Sequence, residues 1–139
     1  MSYSLSFSKA VLVVIFISDK IRQEQYEFLS TQYISEVLNI PKPTLVKIFG
    51  YLNAAGIIET KEGKQGGIRL MKSPDQITVL DVLNAVEVGK QLFQTNFNIM
   101  AEGKRPDNAQ KILANVLGQA ELRMKSELKM TIGSILNQM

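Results

Sequence analysis

The side chains in this sequence that could do chemistry at a surface are mostly cationic, and they are bunched. Lys42, Thr44, Lys47 and Tyr51 fall in one stretch. Lys61, Lys64, Gln65 and Arg69 fall in the next, KEGKQGGIRL, which also holds the pair Gly66-Gly67. Lysine and arginine neutralise phosphates, threonine and tyrosine donate to phosphates or base edges, and lysine also reaches guanine. Residues 42–72 carry six basic side chains against two acidic ones, Glu59 and Glu62; their net +4 exceeds the +3 of the whole chain. The chemistry indicated is recognition of a polyanion. Catalysis has little to work with. Among 139 residues there is no cysteine and no histidine, which removes thiol nucleophiles, disulfides, ordinary zinc sites and the commonest general base. No close carboxylate pair or metal-ligand spacing replaces them, so we read the chain as a non-enzyme without a cofactor. The glycine-lysine run is not a phosphate-binding P-loop either, because the Gly-x-x-x-x-Gly-Lys-Ser/Thr spacing is missing.

Taken singly, these features have plainer readings: a Gly-Gly turn with lysines is usually a solvated hairpin, and exposed lysines usually just solvate a helix. What gives them weight is the order of the elements that carry them. Residues 5–19, LSFSKAVLVVIFISD, are apolar almost all round, as a central buried helix would be, with Ser6 or Ser8 available as a cap. The apolar run at 10–17 is too short to span a bilayer and no export signal surrounds it, so we expect a cytoplasmic protein with no membrane partner. Residues 20–29 read as polar and irregular. Ser30 or Thr31 then caps a second helix with Ile34, Val37 and Leu38 at helical spacing, and Asn39-Ile40-Pro41 breaks it.

A third helix follows in KPTLVKIFGYLNAAG. Pro43 suits its first turn, Leu45, Ile48, Phe49 and Leu52 form its buried stripe, and Gly56 closes it in a left-handed conformation. That stripe leaves Thr44, Lys47 and Tyr51 on the open face, with Lys42 where the helix starts. Two short strands at 57–61 and 68–71 enclose the basic tip as a hairpin. Ser73-Pro74-Asp75 is a turn, and Thr78 with Asp81 makes a capping box for a fourth helix to about Val86. Residues 87–106 are hard to assign and run into the loop-like EGKRPDN.

From about 107 to 138 the apolar positions Leu113, Leu117, Ala120, Met124, Leu128, Ile132 and Ile135 step by three or four. A helix of roughly 30 residues would be about 45 Å long. It either folds back on its own domain or protrudes so that its stripe meets a second copy; we prefer the second reading. Helix, short helix, tight turn, helix, hairpin, helix is a winged helix-turn-helix order, in which the helix after the turn enters a major groove. The glycines at 66 and 67 let the main chain turn at the tip and approach a neighbouring groove. The expected fold is thus mainly α with a small β-hairpin: a winged helix-turn-helix domain over 1–88, a linker over 89–106 and a dimerisation helix over 107–139. An alternative use of the same surfaces is a winged-helix module that binds another protein.

Four pieces of the chain, FSKA near the start, IPKPTLVKIFGYLNAAGIIE, GKQGGIRL and SPDQITVLDVLNAVE, resemble the Rrf-type (Rrf-two) family of bacterial winged-helix regulators over about residues 6–88. The resemblance implies a transcriptional regulator, most simply a repressor, that binds a partly palindromic operator in double-stranded DNA as a homodimer joined through a long C-terminal helix. It implies DNA-facing roles for Ser8 and Lys9 on the first helix, for Pro43, Thr44 and Lys47 on the recognition helix, and for the hairpin tip. The chain departs from the family pattern in three ways. Many relatives carry an arginine followed by Gly-Pro-Gly-Gly-Gly in the wing; here Glu62 precedes Gly63-Lys64-Gln65-Gly66-Gly67, and an acid there should repel phosphate. The Glu-Gln pair common on the recognition helix is Val46-Lys47, which implies a different operator preference. Cluster-binding relatives place three cysteines before the dimerisation helix, and this chain has none. Regulation would then need another source, and Phe93 and Phe97 are candidates for an effector pocket, against the plainer reading that they pack the linker.

Overall fold

The computed structural model of the chain describes residues 5–23 and 27–139. Six helices and one hairpin occur there in the order α1 (Leu5–Arg22), α2 (Thr31–Leu38), α3 (Lys42–Ala54), β1 (Ile58–Lys61), β2 (Gly67–Leu70), α4 (Val79–Val86), α5 (Lys104–Glu127) and α6 (Ile132–Gln138), with a 3-10 turn at Pro74–Gln76. Helix α1 runs on through residues expected to be irregular, as far as Arg22; residues 24–26 of that stretch lie outside the described residues.

The core forms round α1 because its Ala10, Val13, Val14 and Ile17 fall at i, i+3, i+4 and i+7, and all four are fully buried. Against them pack Ile34 of α2, Leu45, Ile48 and Leu52 of α3, Ile58 and Ile68 of the hairpin, and Val82 of α4. The opposite side of α1 is also apolar but open: Leu5 and Leu12 remain 67% and 47% exposed. The helix ends follow from local chemistry. The Ser30 hydroxyl accepts from Tyr33 N–H at 3.0 Å to start α2, and Asn39 ends it in the left-handed region at φ 52°. Past α3, Gly56 sits at φ 72°; its N–H donates to Asn53 O, and Ile57 N–H donates to Leu52 O, the paired closure of a Schellman end. Thr78 and Asp81 cap α4 reciprocally, at 2.9 and 3.0 Å.

In the hairpin, Ile58 pairs with Leu70, Glu59 with Arg69, Thr60 with Ile68 and Lys61 with Gly67. Leu29 adds a bridge on the outer side of β2, exchanging both backbone hydrogen bonds with Ile68.

The C-terminal third corrects the sequence reading. Helix α5 starts at Lys104, three residues earlier than expected, inside the stretch read as a loop; Pro106 lies in its first turn, where no backbone donor is required. It also stops at Glu127 instead of continuing to 138. The chain turns at 128–131, and α6 packs back beside α1 and the 3-10 turn. Two causes are visible. The N–H groups of Val79 and Leu80, which have no acceptor inside α4, donate to Met130 O at 2.9 Å and Leu128 O at 2.7 Å. Ile132 then becomes fully buried and Leu136 nearly so, a gain of roughly 1.5–3 kcal/mol per side chain that a straight helix would forgo. Ile132 therefore belongs to this chain's own core, Ile135 packs against that core, and Leu128 supplies the tether. None of the three continues a protruding stripe. Among the described residues, no helix is long and apolar enough to cross a membrane.

Candidate nucleic-acid interface

Helix α3 is held by one face and open on the other. Leu45, Ile48, Phe49 and Leu52 are buried, whereas Lys42, Pro43, Val46, Lys47, Gly50 and Tyr51 are exposed. The turn before it is rigidly built: the Ser35 hydroxyl donates to Ile40 O at 2.6 Å, Ile40 N–H returns to Ser35 O, and Pro43 occupies the first turn. At 100° per residue, the middle of the open face runs through Pro43, Val46, Lys47 and Gly50. Thr44 and Tyr51 lie on its flank; Thr44 is half-buried and Tyr51 is 39% exposed. The expected trio is thus split, with Lys47 central and the other two at the edge.

Two residues of this face were not singled out as contacts. Val46 is 63% exposed. Gly50 lies in mid-helix, yet a Cβ built on it meets nothing within 4 Å. Glycine costs about 0.8–1 kcal/mol relative to alanine in a helix interior, and packing gives no reason for that cost here. A glycine on an open, mid-helix surface is the kind of position where another molecule's backbone approaches closely.

The wing shows the opposite logic. Gly66 and Gly67 are required by the hairpin itself: a Cβ on Gly66 would lie 2.0 Å from Lys61 O, and one on Gly67, at φ 142°, would lie 2.3 Å from Leu29 O. Their expected role in letting a groove approach is unnecessary to explain them. Arg69 is likewise engaged inside the protein. It pairs with Glu59 directly across the hairpin and with Glu27 at 3.4 Å, and its guanidinium sits 4.6 Å from the centre of the Phe28 ring. It braces the wing root and does not project as an open cation. Lys61 is exposed and places its ammonium 5.4 Å from the same ring. Lys64, Gln65 and Glu62 are exposed on the five-residue tip. Lys72 lies beyond β2, away from the tip, at the mouth of a cleft. Of the six cations counted in the sequence, Lys42, Lys47, Lys61 and Lys64 remain as open charges on α3 and the wing.

The first-helix candidates differ from these. Ser8 is exposed on the face that carries Leu5 and Leu12, and Lys9 is half-buried. On α5 no residue is buried. Leu113, Ile112 and Val116 are 45%, 65% and 55% exposed, whereas Leu117 and Met124 are partly covered. Leu117 faces the linker, lining a cavity of about 180 Å3 with Phe93 and Glu121, and Glu121 accepts a hydrogen bond from Leu92 N–H. The open stripe is therefore rotated from the expected one and includes Ile112 and Val116, whose i, i+4 spacing was legible in the sequence. Phe97 does not line that cavity, and its volume is below the roughly 300 Å3 at which ligand sites begin. Phe93 lines that cavity and Phe97 does not, so this cavity does not bring the two together.

A family model described as an iron-dependent transcriptional regulator, Rrf2, matches residues 3–138. A candidate HTH-type transcriptional regulator of Synechocystis sp. is 38% identical over 71 residues, 51% of this chain and 48% of its own. The HTH-type transcriptional regulator NsrR of Shouchella clausii is 31% identical over 72 residues, 52% of this chain and 48% of its own. The chain's match thus spans about half the length of these curated relatives. Among solved structures, IscR of T. potens superposes with a TM-score of 0.74 over 99% of this chain and 88% of that one, at 17% identity. CymR of B. subtilis superposes at 0.68 over 100% and 98%, at 16% identity. At these identities the superpositions show the fold alone, a winged helix with a long C-terminal helix. For the iron in the family's description, the described residues offer no set of ligands. The chain supplies no thiolate and no imidazole, and among the described residues no group of three or more acidic side chains is placed to hold a metal. The residues present do not fit a cysteine-ligated cluster.

Proposed function

Because the chain belongs to the Rrf2 family of transcriptional regulators, not to a family of enzymes, we propose that it is a sequence-specific DNA-binding repressor. It acts in the cytoplasm as a homodimer on a partly palindromic operator, without an iron–sulfur cluster. The observation that carries this reading is the open face of α3. Pro43, Val46, Lys47 and Gly50 form a surface that the fold leaves unpacked, with a glycine that no intramolecular contact requires. A helix of that kind fits a major groove: Lys47 reaches guanine or a phosphate, and Val46 offers an apolar contact to a thymine methyl. Lys61 at the end of β1 and Lys64 on the tip reach the flanking backbone, opposed by Glu62. The exposed faces of α5 and α1, with Ile112, Leu113, Val116, Leu5 and Leu12, supply the dimer contact.

Selection of bound sequences from random double-stranded DNA, at two salt concentrations, tests the reading. Enriched half-sites about 34 Å apart along the duplex, with affinity that falls steeply as salt rises, are the expected result. No enrichment at either concentration would defeat it. A second reading, a protein-binding winged helix, draws on Glu62 at the tip and on the exposed Val46. Capture of a defined protein partner through α3, without salt-sensitive DNA binding, would decide for that reading.

A further inference from the structure

A cleft of about 700 Å3 opens between the end of α1, the end of β2, the turn at 72–75 and α6. It lies apart from the open face of α3 and from the linker, and its size is that of a small-molecule site, roughly 300–1,000 Å3. Ile21, Leu70 and Leu136 give it an apolar floor. Its charged lining is uneven in availability. Arg69 is already matched by Glu59 and Glu27. Asp75 is exposed, and its carboxylate lies against the first turn of α6, so close that a Cβ on Gly133 would lie 1.8 Å from its Oδ1; it leaves one carboxylate beside the cations. Arg22 and Lys72 are the remainder. Both are exposed, and among the described residues neither forms an ion pair. Arg22 is oriented by donating from Nη2 to Asn137 Oδ1 at 3.1 Å, which ties α1 to α6 across the cleft.

We propose that this cleft binds a small amphipathic anion, with its apolar body on Ile21, Leu70 and Leu136 and its carboxylate or equivalent acid between Arg22 and Lys72. An acid there makes charge-assisted hydrogen bonds to two cations that form no ion pair among the described residues, and the cations of the lining, Arg22, Arg69 and Lys72, outnumber its carboxylates, Glu27 and Asp75. Resting on the regulator reading above, the site also has a use. One wall, β2, continues into the wing tip. The other, α6, is tethered through 128–132 to the start of α4 and to α5. A ligand that binds one arrangement of these walls better than another shifts the wing against the dimer helix and so changes operator affinity.

Octanoate is the probe, with octylammonium as its charge-reversed control, each titrated into the 15N-labelled full chain and followed by amide NMR. The expected result is saturable shifts at Ile21, Arg22, Leu70, Lys72 and Leu136, with octylammonium binding far more weakly. The pair of changes Arg22→Glu and Lys72→Glu, on exposed side chains and so expected to leave the circular dichroism unchanged, should weaken octanoate about tenfold or more, the scale of 1.4 kcal/mol. Asn137→Ala, which removes only the tie across the cleft, should leave most of the affinity. Shifts confined to α5, equal binding of octylammonium, or wild-type affinity in the double variant would overturn the site. The two readings fail separately: a protein that takes up octanoate but binds no DNA sinks the regulator reading alone, and one that binds its operator but not octanoate sinks the cleft alone.

Discussion

Lys47 and Gly50 lie one helical turn apart on the open face of α3, and they fail differently when changed. Lys47 contributes nothing to packing. It is exposed, and among the described residues it forms no ion pair. Lys47→Ala should leave the urea midpoint in place, weaken operator binding and lower the slope of log affinity against log salt by about one. Wild-type affinity in an anisotropy titration would remove Lys47 from the interface. Gly50→Ala should do the reverse to stability, raising it by about 0.8–1 kcal/mol because alanine is the better helix former and its methyl meets nothing. The same methyl should weaken operator binding if DNA approaches that surface closely. A variant that is stabler and still binds fully would assign Gly50 no part in recognition. Arg69 carries the contrary lesson. In the sequence it is one more cation in a basic run; in the folded chain two carboxylates and the Phe28 ring hold it at the wing root.

At the scale of the element, the wing is closed by its own backbone. Gly67 lies where β2 meets both β1 and the bridge from Leu29, and no side chain fits between Gly67 and Leu29 O. Gly67→Ala should cost more than about 1–3 kcal/mol, since it combines a positive φ with a backbone clash. Equilibrium urea unfolding measures this, and a loss within experimental error would mean that the hairpin relaxes freely. The capping signals of α2, α3 and α4 were readable because each is a local exchange between a side chain or glycine and a nearby backbone group: Ser30 to Tyr33, Gly56 after Ala55, Thr78 with Asp81. The break before α6 uses the same device, with Thr131 accepting from Ser134 N–H at 3.0 Å. It was hidden because Met124, Leu128, Ile132 and Ile135 stay in helical phase across it, so hydrophobic periodicity alone runs straight through.

For the whole molecule, the open question of shape is what covers α5. Twenty-four residues of helix, about 36 Å long, have none buried, while apolar side chains stand exposed along one side. Val116→Glu, near the middle of that stripe, should convert a dimer to a folded monomer by sedimentation or light scattering, because no packing within the chain depends on it. The variant should also lose operator affinity, as half-sites are read by two recognition helices together. A dimer that survives the charge, or a wild-type chain that is already solitary, would refute the assembly.

Much of what depends on near neighbours was legible in the order of residues: the helix stripes, the caps of α2, α3 and α4, the turn before α3, the glycine-rich hairpin, and the exclusion of thiol and imidazole chemistry by composition. Those features were enough to give the winged-helix order and the face of α3 that looks outward. Competition between distant groups was resolved only on folding. Arg69 met acids at 27 and 59, the first-turn donors of α4 found carbonyls some 50 residues along the chain, and the C-terminal stripe was divided between the core and the open helix. No local pattern encodes which of two apolar surfaces will bury a side chain, because that choice is made by the free energy of the whole packed arrangement.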